Sequence, residues 1–452
     1  MSDGALAATQ YYHELLTSGR FDDTLARLQT GIAAGKLHIC GSPASRVLRP
    51  FFVDEPVYAA AMATASEMAY ALGRLRRHLL GDAALRAVFA LPPEVDEICA
   101  LEPPESLELA GRLDGFLSAT GSLDFMEFNS MGVGMVFNDA LAELFSQMPI
   151  LAAVKQRFAV HHIPTAERVI PAVQRGLASL RPTVTKPTIA IILSEPPSAG
   201  SLAMPETGRL LGRAQQQGLR VLIADANDLE FQDGCLKSQG VPIDVAFIDW
   251  LPSFLKIARR DHPFWRAIAA RAVWSGTPLS AQLLCGDKRA FVFLSDERYR
   301  PLFGDALFAK IARHVPWTRI MQPGWSTHAG TKVDLLEFVR TQRERFVLKP
   351  AADYGGKGIC CGWETDAAFW DEMMEAALTQ PYVVQERIIA PQEIFPIDIA
   401  GRMELRDCYV DLSPFVWNEQ SAAGALVRVS GHSLMNVTAG HGSLTPLFVV
   451  PG

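Results

Sequence analysis

The sequence predicts an α/β (α+β) fold, on three observations. Apolar residues recur at helical spacing through the first hundred residues. Short apolar strands alternate with a helical segment between 188 and 250. Alternating segments broken by turns, at 111–130 and 395–417, read as antiparallel strands. With 452 residues the chain is long enough for two or three domains, and boundaries fall most naturally at 1–104, 105–185, 186–280 and 281–452.

Residues 1 to about 40 read as amphipathic helices, with Gly35 as a stop. A long helix is expected over 57–80, with Arg74, Arg76 and Arg77 near its end as a solvated cluster that suits the helix dipole. The hairpin at 111–130 follows, with its turn at Ala119, Thr120 and Gly121, and then helices at 138–145 and 165–180. The stretch RPTVTKP (181–187) is a linker. TIAIIL (188–193), a helix at 205–218, RVLIAD (220–225) and VAFIDW (245–250) form βαβ units with a parallel sheet. From 281 the order is a helix-like segment carrying Lys288, strand RFVLKP (345–350), a glycine turn, a strand with Cys360 and Cys361, a helix at 365–378, and the buried strand YVVQERII (382–389). Two or three antiparallel strands over 395–417 complete it, followed by a strand carrying Arg428.

Composition is that of an ordinary globular protein, with 49% hydrophobic and 20% charged residues. A net charge of −7 argues against bulk nucleic-acid binding. No apolar run suits a membrane span and no signal peptide is evident, so a cytoplasmic location is expected. Seven cysteines without a CxxC pair read as free, mostly buried thiols.

The chemistry concentrates in GRLDGFLSATGSLDFMEFNSMGVG (111–134). Glu127 and Asn129 are two apart, so on a strand both point to one face, with Phe125 expected beside them and Met126 and Phe128 on the other. Asp114 folds back alongside. Two carboxylates and an amide oxygen suit a hard cation such as Mg²⁺. More than two hundred residues downstream, Lys349 ends an apolar strand and the turn Tyr354–Gly358 offers Gly355, Gly356, Lys357 and Gly358, as phosphate binding requires. Arg428 can clamp an anion, and Asn436 precedes the turn Gly440-His441-Gly442. His432 and His441 read as turn residues, since no HxxH or HExxH spacing supports a metal site. No GxSxG or Cys/His pairing supplies a nucleophile.

Taken together, these motifs resemble the ATP-grasp superfamily in a circularly permuted form, with the glutathionylspermidine synthase-like ligases as the nearest named relatives. GDKRAF, FVLKPAADYGGKG, VVQERII and RVSGHSLMNVTAGHG stand in the family's order, while GRLDGF and MEFN, which ordinarily come last, stand near the N-terminus. Each motif is weak alone; their joint presence in one cyclic order is much more specific. The resemblance covers roughly 105–140 and 186–450 and leaves 1–100 unexplained. It implies a helical region at 1–104, a permuted C-terminal part of the core at 105–185, a pre-ATP-grasp-like parallel-sheet domain at 186–280 and a nucleotide-binding region at 281–452. It further implies that Lys288, Lys349 and the 355–358 turn contact ATP phosphates. Gln385, Glu386 and Ile388 would line the adenine, mainly through backbone groups, and Gln392 or Glu393 could reach the ribose. Asp114, Glu127 and Asn129 would hold Mg²⁺, with Arg428, Asn436 and Arg112 acting on the γ-phosphoryl and the acyl intermediate. The implied reaction joins a small-molecule or peptide carboxylate to an amine and releases ADP and phosphate. The competing readings are a nucleotide-binding module without chemistry and a phosphotransferase on the same fold.

Overall fold

The structure is a computed structural model. It describes every residue except 1–2, 40, 119, 132–133, 194–211, 213, 249–250, 354–355, 434, 436 and 438–441. Its centre is a six-stranded antiparallel sheet, in which the N-terminal hairpin Ala110–Leu117 and Leu123–Ser130 pairs with the long C-terminal strand Arg402–Trp417. Ser421–Ser430, Gly442–Thr445 and Gln392–Ile399 complete it. The segments at the two ends of the sequence therefore share one sheet, and that pairing brings the hairpin motif to the downstream motifs.

Alternation along these strands divides the sheet into two chemically different faces. Leu113, Phe128, Leu412, Val427 and Val429 point into a core shared with Met68, Leu72 and Leu75 of the long helix Glu55–Gly81. Arg112, Asp114, Asp411, Ser413 and Arg428 occupy the alternate positions, with Arg428 directly opposite Asp411 and Asp114 opposite Glu127. The hairpin departs from simple alternation at one place. Asp114 pairs with Glu127 but Gly115 pairs with Phe125, so Met126 is an extra residue, a β-bulge. The bulge turns Phe125 away from the Glu127 face and into the core with Phe128, which corrects the expectation that Phe125 lies beside Glu127. Gly115 makes the bulge possible, since a Cβ there would stand 2.6 Å from the Asp124 carbonyl oxygen.

Thr188–Leu193, Arg220–Asp225, Val245–Ile248 and Trp274–Ser275 form a four-stranded parallel sheet in the order 274, 245, 188, 220. The helix expected at 205–218 falls mainly outside the described residues. A third sheet carries Thr318–Ile320, Tyr382–Glu386, Phe346–Pro350 and Cys360–Cys361, all antiparallel. The segment around Lys288 is a π-turn at Ala281–Cys285 and a short helix at Ala290–Ser295, with Lys288 in the break between them. The helix Pro149–Phe158 and the parallel pairing of Leu447–Val450 with Phe51–Asp54 had no counterpart in the sequence reading.

The arginines near the end of the long helix are not a solvated cluster. Arg76 is 1% exposed, and its guanidinium bonds Glu419 through Nε at 2.9 Å and the Ser106 carbonyl. Arg77 bonds the other Glu419 oxygen at 3.0 Å. Glu419 sits in the tight turn after the central strand, so the pair welds the helix to that turn. Gly73 is required here, since a Cβ would meet the Glu419 carboxylate at 2.2 Å. Among the described residues no helix is long and apolar enough to cross a membrane.

Candidate active site

The charged face of the six-stranded sheet is roofed by the sheet carrying Lys349. Lys288 pairs directly with Glu127, and Lys349 lies near enough to feel the charges of both. Lys288 Nζ lies 3.3 Å from Glu127 Oε2 and donates to the Asp353 carbonyl at 2.7 Å, while its backbone N–H is held by Ala351 O at 2.8 Å. Lys349 is 6% exposed and donates to Gln385 Oε1 at 2.6 Å. Burial pushes its ammonium down to about 8, against the pull of Glu127 and with the push of Lys288.

Beside this trio stands a second charge network. Arg112 donates to Asp114 through Nε at 2.6 Å and Nη2 at 3.0 Å, and Arg428 Nη2 reaches the same carboxylate at 2.7 Å. Arg428 also grips Asp411, through Nε at 2.7 Å and through Nη2. Ser413 Oγ donates to Asp411 at 3.1 Å. The two carboxylates differ in character. Burial would raise the Asp114 carboxyl, but two guanidiniums outweigh it and hold it well below the usual range. Burial raises Asp411, which has one guanidinium and faces the Asp114 charge across it. Arg428, burial notwithstanding, is pushed above its ordinary value by its two carboxylates.

The expected residues are therefore largely together, with several in other roles. Lys288, Lys349, Arg112, Arg428, Asp114 and Glu127 fall in one charge cluster, and regular alternation keeps Asn129 on the Glu127 face. Asp114 is fully buried as the counter-ion of Arg112 and Arg428, where an open metal donor was expected. Gln385 sits inside the sheet, between Thr318 and Val347, and its side chain serves Lys349, a role the expectation of a mainly backbone contact with the adenine did not include. The Glu386 N–H bonds Trp317 O at 2.8 Å, and its carboxylate bonds Arg345 at 2.6 Å. Ile388 lies beyond the last residue of that strand. Glu393 does not turn toward a ribose. It pairs with Arg49, a fully buried guanidinium stacked 3.6 Å from the Phe395 ring that must have a counter-ion. Gln392 is exposed on the edge strand. Gly356 and Gly358 take positive φ of 76° and 68°, and Lys357 between them is exposed, while Gly355 and Asn436 lie outside the described residues.

Sequence reading missed Asp411, Ser413 and Glu108. Asp411 carried a signal, the lone acid in the mostly apolar second half, 408–417, of the strand Arg402–Trp417. Glu108 carried none. It is buried beneath the loop after the hairpin, where it accepts from Ser130 Oγ and from the Met131 N–H at 3.1 Å, and Met131 has φ +78°. Burial pushes the Glu108 carboxyl up to about 8. The native state therefore holds that proton where the unfolded chain has lost it, and stability falls as pH rises from about 4.5 to about 8. Glu108→Gln is expected to flatten that decline in a series of melting temperatures taken from pH 5 to pH 9. An unchanged slope would exclude Glu108 as its source.

The charge cluster has the chemistry a polyanion would require. Lys288, Lys349, Arg112 and Arg428 face Asp114, Glu127 and Asp411, and each cation is held by a partner that an anionic ligand could replace. Among the described residues no three His, Cys, Asp or Glu side chains group as a metal site. The donor chemistry of Glu127 and Asn129 nevertheless fits a hard cation. The Glu127 carboxylate is 25% exposed, and Asn129 could offer only its Oδ1, since its buried Nδ2, without a hydrogen-bond partner among the described residues, is a donor.

No family model matches the chain, and no curated protein does. Among solved structures it is similar to a glutathione synthetase-like effector from Globodera pallida, with a TM-score of 0.65 over 95% of this chain and 97% of that one, at 11% identity. The fold is a glutathione synthetase-like one. A gamma-glutamylcysteine synthetase-like protein from Methylobacillus flagellatus aligns at TM-score 0.42 and 13% identity over 83% and 87% of the two chains. D-alanyl-alanine synthetase A from Vibrio cholerae aligns at 0.27 and 13% over 50% and 68%. These two likenesses are too distant to carry an argument. All three neighbours are named after ligases of the ATP-grasp type.

Proposed function

We propose that this chain is an ATP- and Mg²⁺-dependent ligase that joins a carboxylate to an amine through an acylphosphate, in a circularly permuted ATP-grasp arrangement. The observation that carries the reading is that Lys288 pairs with Glu127 while Lys349 is linked through Gln385 to Met126 beside it, from three segments separated in sequence, inside a glutathione synthetase-like fold.

In this reading Lys288 and Lys349 neutralise nucleotide phosphates, each exchanging a protein partner for a phosphate oxygen. Glu127 and Asn129 would hold Mg²⁺, which when bound supplies charge neutralisation at the transferring phosphoryl group. Arg428 orients the anions that meet during the reaction, the substrate carboxylate and the γ-phosphate. Its fork is held by Asp411 and Asp114, so little side-chain freedom remains to be lost when substrate binds. Arg112 supports the same carboxylate from the other side. Asp114 acts through these two arginines. The amine then displaces phosphate from the acylphosphate, a step that needs no protein nucleophile.

Isothermal titration of the protein with ATP in excess Mg²⁺ is expected to show one binding site, and a carboxylate and amine pair that fits the cleft is expected to release ADP and inorganic phosphate together. Absence of any nucleotide binding would sink the reading. ADP without inorganic phosphate would favour a phosphotransferase instead.

A further inference from the structure

Gln385 makes contacts that belong to neither the sheet nor the surface. It is 2% exposed, and its amide is used at both ends. Oε1 accepts from Lys349 Nζ at 2.6 Å, while Nε2 donates to Thr318 Oγ1 at 3.1 Å and to the Met126 carbonyl at 3.3 Å. The chemistry fixes which way the amide faces. An ammonium can only donate and a carbonyl can only accept, so a flipped amide would oppose both partners. Met126 is the bulged residue of the hairpin, immediately before Glu127, and the bulge is what takes its carbonyl out of the regular ladder.

We infer that Gln385 is a positioning residue that ties the phosphate-binding lysine to the bulge that aims Glu127, so that the two halves of the site are set by one side chain. This rests on the ligase reading above. The neutrality of the amide is part of the device. A carboxylate at 385 would hold Lys349 as an ion pair, in competition with phosphate, and would repel both the Met126 carbonyl and Glu127. An apolar side chain would leave Lys349 without its acceptor and Met126 without its donor. The other groups that act on Lys349 are Glu127 and Asp114 of the hairpin, Lys288, and Cys361 on the adjacent strand, and among the described residues the one neutral amide bonded to it is that of Gln385.

The test uses the full chain and MgATP as the probe in calorimetry, with ATP titrated at several Mg²⁺ concentrations. Gln385→Leu and Gln385→Glu are each expected to weaken ATP binding about tenfold or more, the size of a lost charge-assisted hydrogen bond. Both are expected to raise the Mg²⁺ concentration needed for half-maximal binding, whereas Lys349→Met weakens ATP binding with a smaller change in the Mg²⁺ requirement. In a Lys349→Met background, Gln385→Leu is expected to cost ATP affinity little further, because its route to the phosphates is already gone. Should Gln385→Leu fail to fold, the isosteric Gln385→Glu carries the same comparison. ATP affinity and Mg²⁺ requirement within twofold of the parent in a folded Gln385 variant overturn the inference alone. So does an equal loss with and without Lys349. If the unsubstituted protein binds no MgATP, the ligase reading falls first and the inference with it.

Discussion

Arg428→Met is expected to destabilise the protein by about 3–5 kcal/mol, the range for breaking a buried ion pair from one side. The substitution removes the cation that Asp114 and Asp411 share, and both carboxylates are fully buried. Asp114 keeps Arg112, but Asp411 is left with the Ser413 hydroxyl. Most of the loss should therefore trace to Asp411. Adding Asp411→Asn to Arg428→Met removes the stranded charge, so the double variant is expected to recover a large part of the loss. Urea denaturation of the two singles and the double measures this directly. A double variant as unstable as the sum of the singles would show that Asp411 does not depend on Arg428 for its charge.

Glu127→Gln is expected to do the opposite, leaving the fold nearly untouched while removing turnover by about 100-fold or more, the scale set by loss of one electrostatic contact at a reacting phosphoryl group. Its carboxylate is 25% exposed and pairs at 3.3 Å with the buried Lys288, but Lys288 keeps the Asp353 carbonyl and Lys349 keeps Gln385 as acceptors, so the stability loss should stay well below that of Arg428→Met. The variant also leaves Lys288 without its ion-pair partner and Lys349 without a nearby negative charge. ATP should thus still bind without Mg²⁺, while the dependence of binding on Mg²⁺ weakens. Calorimetry with and without the cation reads both effects, alongside release of ADP. A Glu127→Gln protein with parental turnover on an identified substrate pair would remove Glu127 from the site.

Much of the site was legible because period-two alternation is local. Residues 127 and 129 could be placed on one face of their strand from spacing alone, with 114 folded back beside them, and the sheet keeps them there. Strands Thr188–Leu193 and Arg220–Asp225 begin and end where the sequence reading puts them, because each is a short apolar run bounded by turn residues. The bulge at Met126 was not legible. It depends on the pairing of Gly115 with Phe125, a partner choice made by the whole hairpin, and it reverses the face of every residue on one side of it. Arg76 was misread for a related reason. A helix end looks solvated until the chain that covers it is known, and that chain is the turn holding Glu419, more than three hundred residues away.

The sequence by itself determined which residue types could bind a nucleotide and a cation, and that those belonging to the hairpin precede those of the lysine strand. Both are properties of short windows, set by side-chain chemistry and backbone period. Only the tertiary structure decided how the charges divide among partners. Desolvation makes every buried ion take a counter-charge or a hydrogen bond, and the choice falls to what packing places within reach. Glu393 went to Arg49, Asp114 went to two arginines, and Gln385 went to Lys349.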